Sequence, residues 1–148
     1  MVDKKTVLAE LHTIKRAISN VVQMTGYAEY GDMSEVSIEC ETEDFFLRDE
    51  FNLIIDKLAD MQARIEYLML PVVETSTLSR NNRDRFETQS GYELTCGCGI
   101  EYLHTAEDED DHTKWCRSSV EHNGKDYYIV GERDLSLSGL LVRIRRSF

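Results

Sequence analysis

The sequence predicts an α+β protein, an N-terminal antiparallel helical hairpin followed by a small SH3-like β-barrel or bent antiparallel sheet. Apolar residues recur at steps of three and four in two stretches, the only proline is Pro71, and from residue 72 the pattern changes to short β-branched and aromatic runs broken by turns. These observations divide the chain into residues 1–71, a hairpin with an acidic connection, and residues 72–148, a β-rich domain. With 148 residues, 41% of them hydrophobic, the chain is large enough to bury a core.

The first helix is read from Val7, Leu11, Ile14, Ile18 and Val21, spaced four, three, four and three residues apart, with Gly26 placed as a C-terminal stop. The second follows from Leu47, Phe51, Ile54, Leu58, Met61, Ile65 and Leu68. Thr42 or Asp44 caps its start and Pro71 marks its end. Two such stripes cover each other in a hairpin, and the longer second one has apolar surface left over for a homodimer through the hairpin. Between the helices, Val36, Ile38 and Cys40 alternate with polar residues as a short strand would.

In the second half Asn123-Gly124 joins two alternating runs as a two-residue hairpin turn. That register places Val120 opposite Tyr127 and Ser118 opposite Ile129, with one face apolar. The last strand alternates too, sending Leu140, Val142 and Ile144 inward and Arg143 and Arg145 outward.

Seventeen basic residues against twenty-eight acidic ones give a net charge of -11, which opposes binding to nucleic acid or anionic lipid and favours a basic protein surface. The charge is segregated. Residues 29–50 hold nine acidic residues against the single Arg48, residues 107–111 are all acidic, and the remainder nets +2. The sequence has no signal-peptide run and no membrane-length apolar stretch, so a cytoplasmic protein is expected, with Cys40, Cys96, Cys98 and Cys116 reduced.

The motifs IEYL-x-x-PV at residues 65–72, GYELTCG at 91–97, IEYL at 100–103, Trp115, VEHNG at 120–124, DYYIVG at 126–131 and SGLLVRIR at 138–145 carry a resemblance. Together they resemble a small uncharacterised domain family from plasmids, conjugative elements and phages of low-GC Gram-positive bacteria. The resemblance implies a mobile-element setting in a bacterial host cell and assigns no catalytic residues. Small acidic proteins in that setting act as accessory factors or as inhibitors of host defence. The chain departs from the family in its acidic connection before Leu47 and in the run at 107–111, where a specialised function is expected.

Three thiolates and an imidazole, Cys96, Cys98, Cys116 and His112, suit tetrahedral zinc, but one residue separates Cys96 from Cys98 where zinc knuckles have about two to four. They are read as buried apolar cysteines, and no cofactor is expected. A nucleophilic Cys98 with His104 or His122 has no supporting motif, and phosphate-cradling glycine loops are absent, so no enzyme is expected.

The resulting expectation is a non-catalytic inhibitor of a mobile element, anti-CRISPR in its most concrete form. It would bind a host nucleic-acid-binding protein, above all a CRISPR effector nuclease, through Glu39, Glu41, Glu43, Asp44, Glu107, Asp108, Glu109, Asp110 and Asp111. The alternative is a small nucleic-acid-binding or regulatory module that uses Trp115, Tyr127, Tyr128, Arg143 and Arg145.

Overall fold

The apolar periods before residue 70 become two long helices, and the alternating runs after it become strands. The computed structural model of the chain describes residues 1–39 and 41–147 and divides into two compact units, Met1–Met69 and Leu70–Phe148. The protein is α+β. No helix among the described residues is long and apolar enough to cross a membrane.

In the first unit α1 spans Lys4–Met24, the single turn α2 spans Tyr27–Tyr30 and α3 spans Thr42–Met69. Helix α1 stops as the sequence predicts, because Gly26 takes φ +79°, a left-handed conformation that costs a residue with a Cβ roughly 1 kcal/mol or more. The two long helices run antiparallel. Lys15 Nζ meets Glu66 Oε1 at 3.4 Å, whereas beyond the end of α1 the Tyr27 hydroxyl donates to Asp56 Oδ1 at 2.5 Å. Advancing along one helix therefore means retreating along the other.

Ile18, Val22, Met33, Ile55 and Ile65 form the buried core of this unit, with Leu11, Val36 and Leu58 packed against it. Much of both stripes stays uncovered, since Val7, Ile14, Leu47, Phe51, Ile54, Met61 and Leu68 keep 36–51% of their surface. The connection differs from the sequence expectation. It holds α2, too short to show a period, and no strand at Val36 and Ile38; Cys40 lies outside the described residues. Met33 and Val36 instead join the helical core, the Val36 N–H donating to the Met33 carbonyl at 2.9 Å.

The second unit has seven strands, β1 (Val72–Thr77), β2 (Ser79–Arg80), β3 (Phe86–Glu87), β4 (Gly99–His104), β5 (Lys114–His122), β6 (Tyr127–Ile129) and β7 (Leu141–Arg145). Five pair in the order β1-β7-β4-β5-β6, all antiparallel, and β2 pairs with β3. The sheet is open. β1 and β6 are its edges, so of the barrel and the bent sheet it is the sheet that forms. Leu78, Leu94, Ile100, Val120, Ile129 and Val142, each at most 2% exposed, fill the core on one face.

The β5–β6 register is two residues away from the expected one. Val120 pairs with Ile129, Glu121 with Tyr128 and His122 with Tyr127, so Gly124 and Lys125 form the tip and Asn123 faces Asp126. An Asn-Gly tip would need positive φ at Asn123, yet the only described non-glycine with positive φ is Asp84. Asn123 works from the flank instead, its Oδ1 accepting the N–H groups of Lys125 at 2.9 Å and Asp126 at 3.0 Å. Moving the tip by one residue shifts the register by two, an even number, so Val120 and Ile129 stay inward.

The loop between β2 and β3 is built around one amide. Asn81 Oδ1 accepts the N–H groups of Arg83 at 2.9 Å and Arg85 at 3.1 Å, while its Nδ2 donates to Glu87 Oε2 at 3.0 Å and Glu93 Oε2 at 2.9 Å.

Candidate functional site

The acidic run at residues 107–111 lies in the loop between β4 and β5, and its carboxylates divide into two roles. Asp108 Oδ1 accepts the N–H groups of Asp110 and Asp111, both at 3.0 Å. Asp111 pairs through Oδ2 with His104 Nε2 at the end of β4 and accepts the Glu107 N–H at 3.3 Å, while its Oδ1 takes the His112 N–H at 2.8 Å. The His104 ring, followed by these backbone N–H groups, holds the Asp111 carboxyl at about 2, below its ordinary value. Thr113 Oγ1 closes the loop by accepting the Ala106 N–H at 3.1 Å.

Asp108 and Asp111 therefore fix the backbone of the loop. Glu107, Glu109 and Asp110 are exposed, and among the described residues no ion pair engages their side chains. The sequence reading treated the five as equivalent, because a run of like charges carries no sign of which members fold back on the backbone.

The other acidic window lies in the first unit. Glu39 and Glu41 precede α3, and Glu43 and Asp44 occupy its first turn, where the exposed N–H groups of a helix favour negative charge. Glu39, Glu41 and Glu43 are exposed and Asp44 is half-buried.

Trp115, Tyr128, Arg143 and Arg145 share the face of the sheet opposite the core. Register fixes this, since Glu101 pairs with both Arg117 and Arg143, Leu103 with Trp115 and Glu121 with Tyr128. Tyr127 alternates to the core side, where its ring lies edge-on to Phe86 at 6.5 Å. Arg143 stacks 4.5 Å over Trp115 and also pairs with Glu101. Arg145 pairs with Glu101 Oε1 at 2.7 Å and donates to the Leu70 carbonyl at 2.7 Å. Burial pushes the Glu101 carboxyl up, and the two arginine hydrogen bonds outweigh it and hold the carboxyl below its ordinary range.

Glu101, which the sequence reading missed, is the residue that organises this face of the sheet. A lone carboxylate inside the apolar run GIEYLH, with arginines alternating in a later strand, was the available signal. Its presence means that Arg143 and Arg145 serve a carboxylate of their own chain before any external anion.

The cysteines are not the buried set expected, for Cys96 is exposed and Cys98 and Cys116 are half-buried. Cys96 Sγ donates to Glu121 Oε2 at 2.7 Å, and that bond raises its pKa, the opposite of what activates a nucleophile. Cys98 lies 3.6 Å from the Tyr92 hydroxyl, while His104 is held by Asp111 and His122 Nδ1 accepts the Gly124 N–H at 3.1 Å. Among the described residues no three His, Cys, Asp or Glu side chains are grouped to hold a metal ion.

No curated protein and no solved structure matches the chain. Residues 76–144, just under half the chain and running from within β1 into β7, match the family described as Domain of unknown function (DUF5348), so the sheet-bearing unit is similar to an uncharacterised family.

Proposed function

We propose that the protein is a non-catalytic binding protein whose β4–β5 loop docks on a basic, nucleic-acid-holding groove of another protein. The observation that supports this reading is the internal bonding of the loop. Because Asp108 and Asp111 fix the backbone, Glu107, Glu109 and Asp110 are offered on a preordered tip, and less conformational entropy is lost when it is bound. Carboxylates held in this way occupy arginine and lysine sites that phosphates otherwise fill, and they steer association. The exposed Glu39, Glu41 and Glu43 supply a second patch of the same sign.

The test is capture of a partner by the tagged protein in cells carrying a CRISPR effector nuclease, the concrete candidate in a mobile-element setting, followed by affinity measurements on what is captured. Glu107→Lys, Glu109→Lys and Asp110→Lys together leave the melting temperature unchanged, since none of these side chains builds the loop. Binding weakens by roughly tenfold or more, and the wild-type affinity falls as salt rises, because exposed charges are screened beyond about 10 Å at 0.1 M. A partner whose affinity ignores both the triple reversal and salt overturns the reading and shifts attention to Trp115 and Tyr128 on the outer sheet face.

A further inference from the structure

The two helical stripes repeat at seven residues, and the hairpin uses only half of each repeat. In α1 Leu11 and Ile18 pack inward, joined near the helix end by Val21, and in α3 so do Leu58 and Ile65, while Phe51 one repeat earlier stays 41% exposed. The companion series, Val7 and Ile14 in α1 and Leu47, Ile54, Met61 and Leu68 in α3, is 36–51% exposed. Heptad stripes of this kind form the seam of coiled coils and the core of four-helix bundles, and in a bundle each helix has neighbours on two flanks. Each helix here has one such neighbour.

Both exposed series fall on the same side of the hairpin. At 3.6 residues per turn each lies displaced in the same rotational sense from its inward series, viewed from the helix's own N-terminus. Antiparallel helices are related by a two-fold axis normal to their common plane, so flanks displaced in the same sense face the same way. The Lys15–Glu66 contact sets the level, placing the Ile14 turn of α1 near the Leu68 turn of α3. The two helices therefore contribute to an apolar face on the same side, most of it from α3.

We infer that this face binds a second copy of the chain, two hairpins closing into a four-helix bundle. The six side chains leave on the order of 500 Å² of apolar surface open, and a standard interface buries about 800 Å² per partner, about two-thirds of it apolar in homodimers. The same surface would be at the upper end of what a monomer leaves uncovered. A second copy supplies a stripe of matching period and length, which fits the isologous contact of a two-fold dimer. The inference is independent of the acidic loop.

Light scattering on the full chain tests it. At hundred-micromolar concentration the mass is expected at twice 17.1 kDa, with a melting temperature that rises with protein concentration. Ile54→Lys with Met61→Lys is expected to retain its helical circular dichroism and run at 17.1 kDa. Should that pair unfold, Val7→Lys with Ile14→Lys on the other helix gives the same reading. A wild type of single mass at that concentration, with a melting temperature indifferent to dilution, overturns the inference; so does a folded double variant that keeps the doubled mass.

Discussion

Glu101 on β4 and Arg145 on β7 meet at 2.7 Å on the outer face of the sheet, where Glu101 is 5% exposed. Arg143 takes the other carboxylate oxygen, so one carboxylate joins two arginines of the same strand. Its removal takes from both half-buried arginines the carboxylate that they share. Glu101→Ala is expected to cost about 3 kcal/mol and Glu101→Gln less, because the amide oxygen still accepts one bond. Urea unfolding reads the difference as a shift in midpoint with unchanged slope, and an alanine variant as stable as wild type would show that the cluster contributes nothing net.

Gly26 and Gly31 both take positive φ, +79° and +69°, but only Gly26 is crowded. A Cβ at Gly26 would lie 2.8 Å from Ser34 Oγ and 2.9 Å from Glu35 Cγ, whereas Gly31 has open space around it. Gly31→Ala should therefore cost about 1 kcal/mol of backbone strain, and Gly26→Ala roughly 1 kcal/mol more, read from thermal melts. Equal costs would mean that the segment around Ser34 yields freely.

The Asp111–His104 pair makes the β4–β5 loop sensitive to acid. The folded Asp111 carboxyl sits at about 2 against an ordinary 3.8, so its contribution to stability is complete above the ordinary value and is lost as pH falls from there towards 2. The His112 amide resonance, whose N–H Asp111 accepts, should titrate with a midpoint near 2, and His104→Ala should move that midpoint up towards 3.8. A wild-type midpoint already at 3.8 would refute the pairing.

Metal removal should change nothing. Cys96 bonds to Glu121 and Cys98 lies against Tyr92, so a chelator is expected to leave the melting temperature where it was. Stoichiometric zinc in the purified protein, lost together with stability on chelation, would contradict this.

The residues that report the fold in the sequence are those whose periodicity reflects burial. The stripes through Ile18 and Ile65 located the helices, and alternation through Val142 and Ile144 located the last strand and its inward face. Gly26 was legible because a left-handed residue after the last apolar position has one common cause. The β5–β6 register was not, since Asn123 serves either at the tip of a turn or from its flank, and only the backbone distinguishes them. The division of labour among residues 107–111 was hidden for a similar reason, as hydrogen bonds from side chain to backbone leave no trace in composition. Glu101 was hidden by distance, its arginines lying 42 and 44 residues away in the chain.

Asn81 holds its loop with both ends of one amide, accepting from two backbone N–H groups and donating to Glu87 and Glu93 within 3.0 Å. Hydrolytic deamidation would replace that NH₂ with an oxygen anion and place three carboxylates around a point where two donors had been. Arg83 and Arg85, which pair with Glu93 at 2.6 Å, would offset part of the added repulsion, and the two lost donors would weaken the loop. The β2–β3 loop thus carries a chemical clock. A stored sample whose one-dalton change is located at Asn81 by peptide mapping, and not at Asn123 before Gly124, should be less stable than fresh protein.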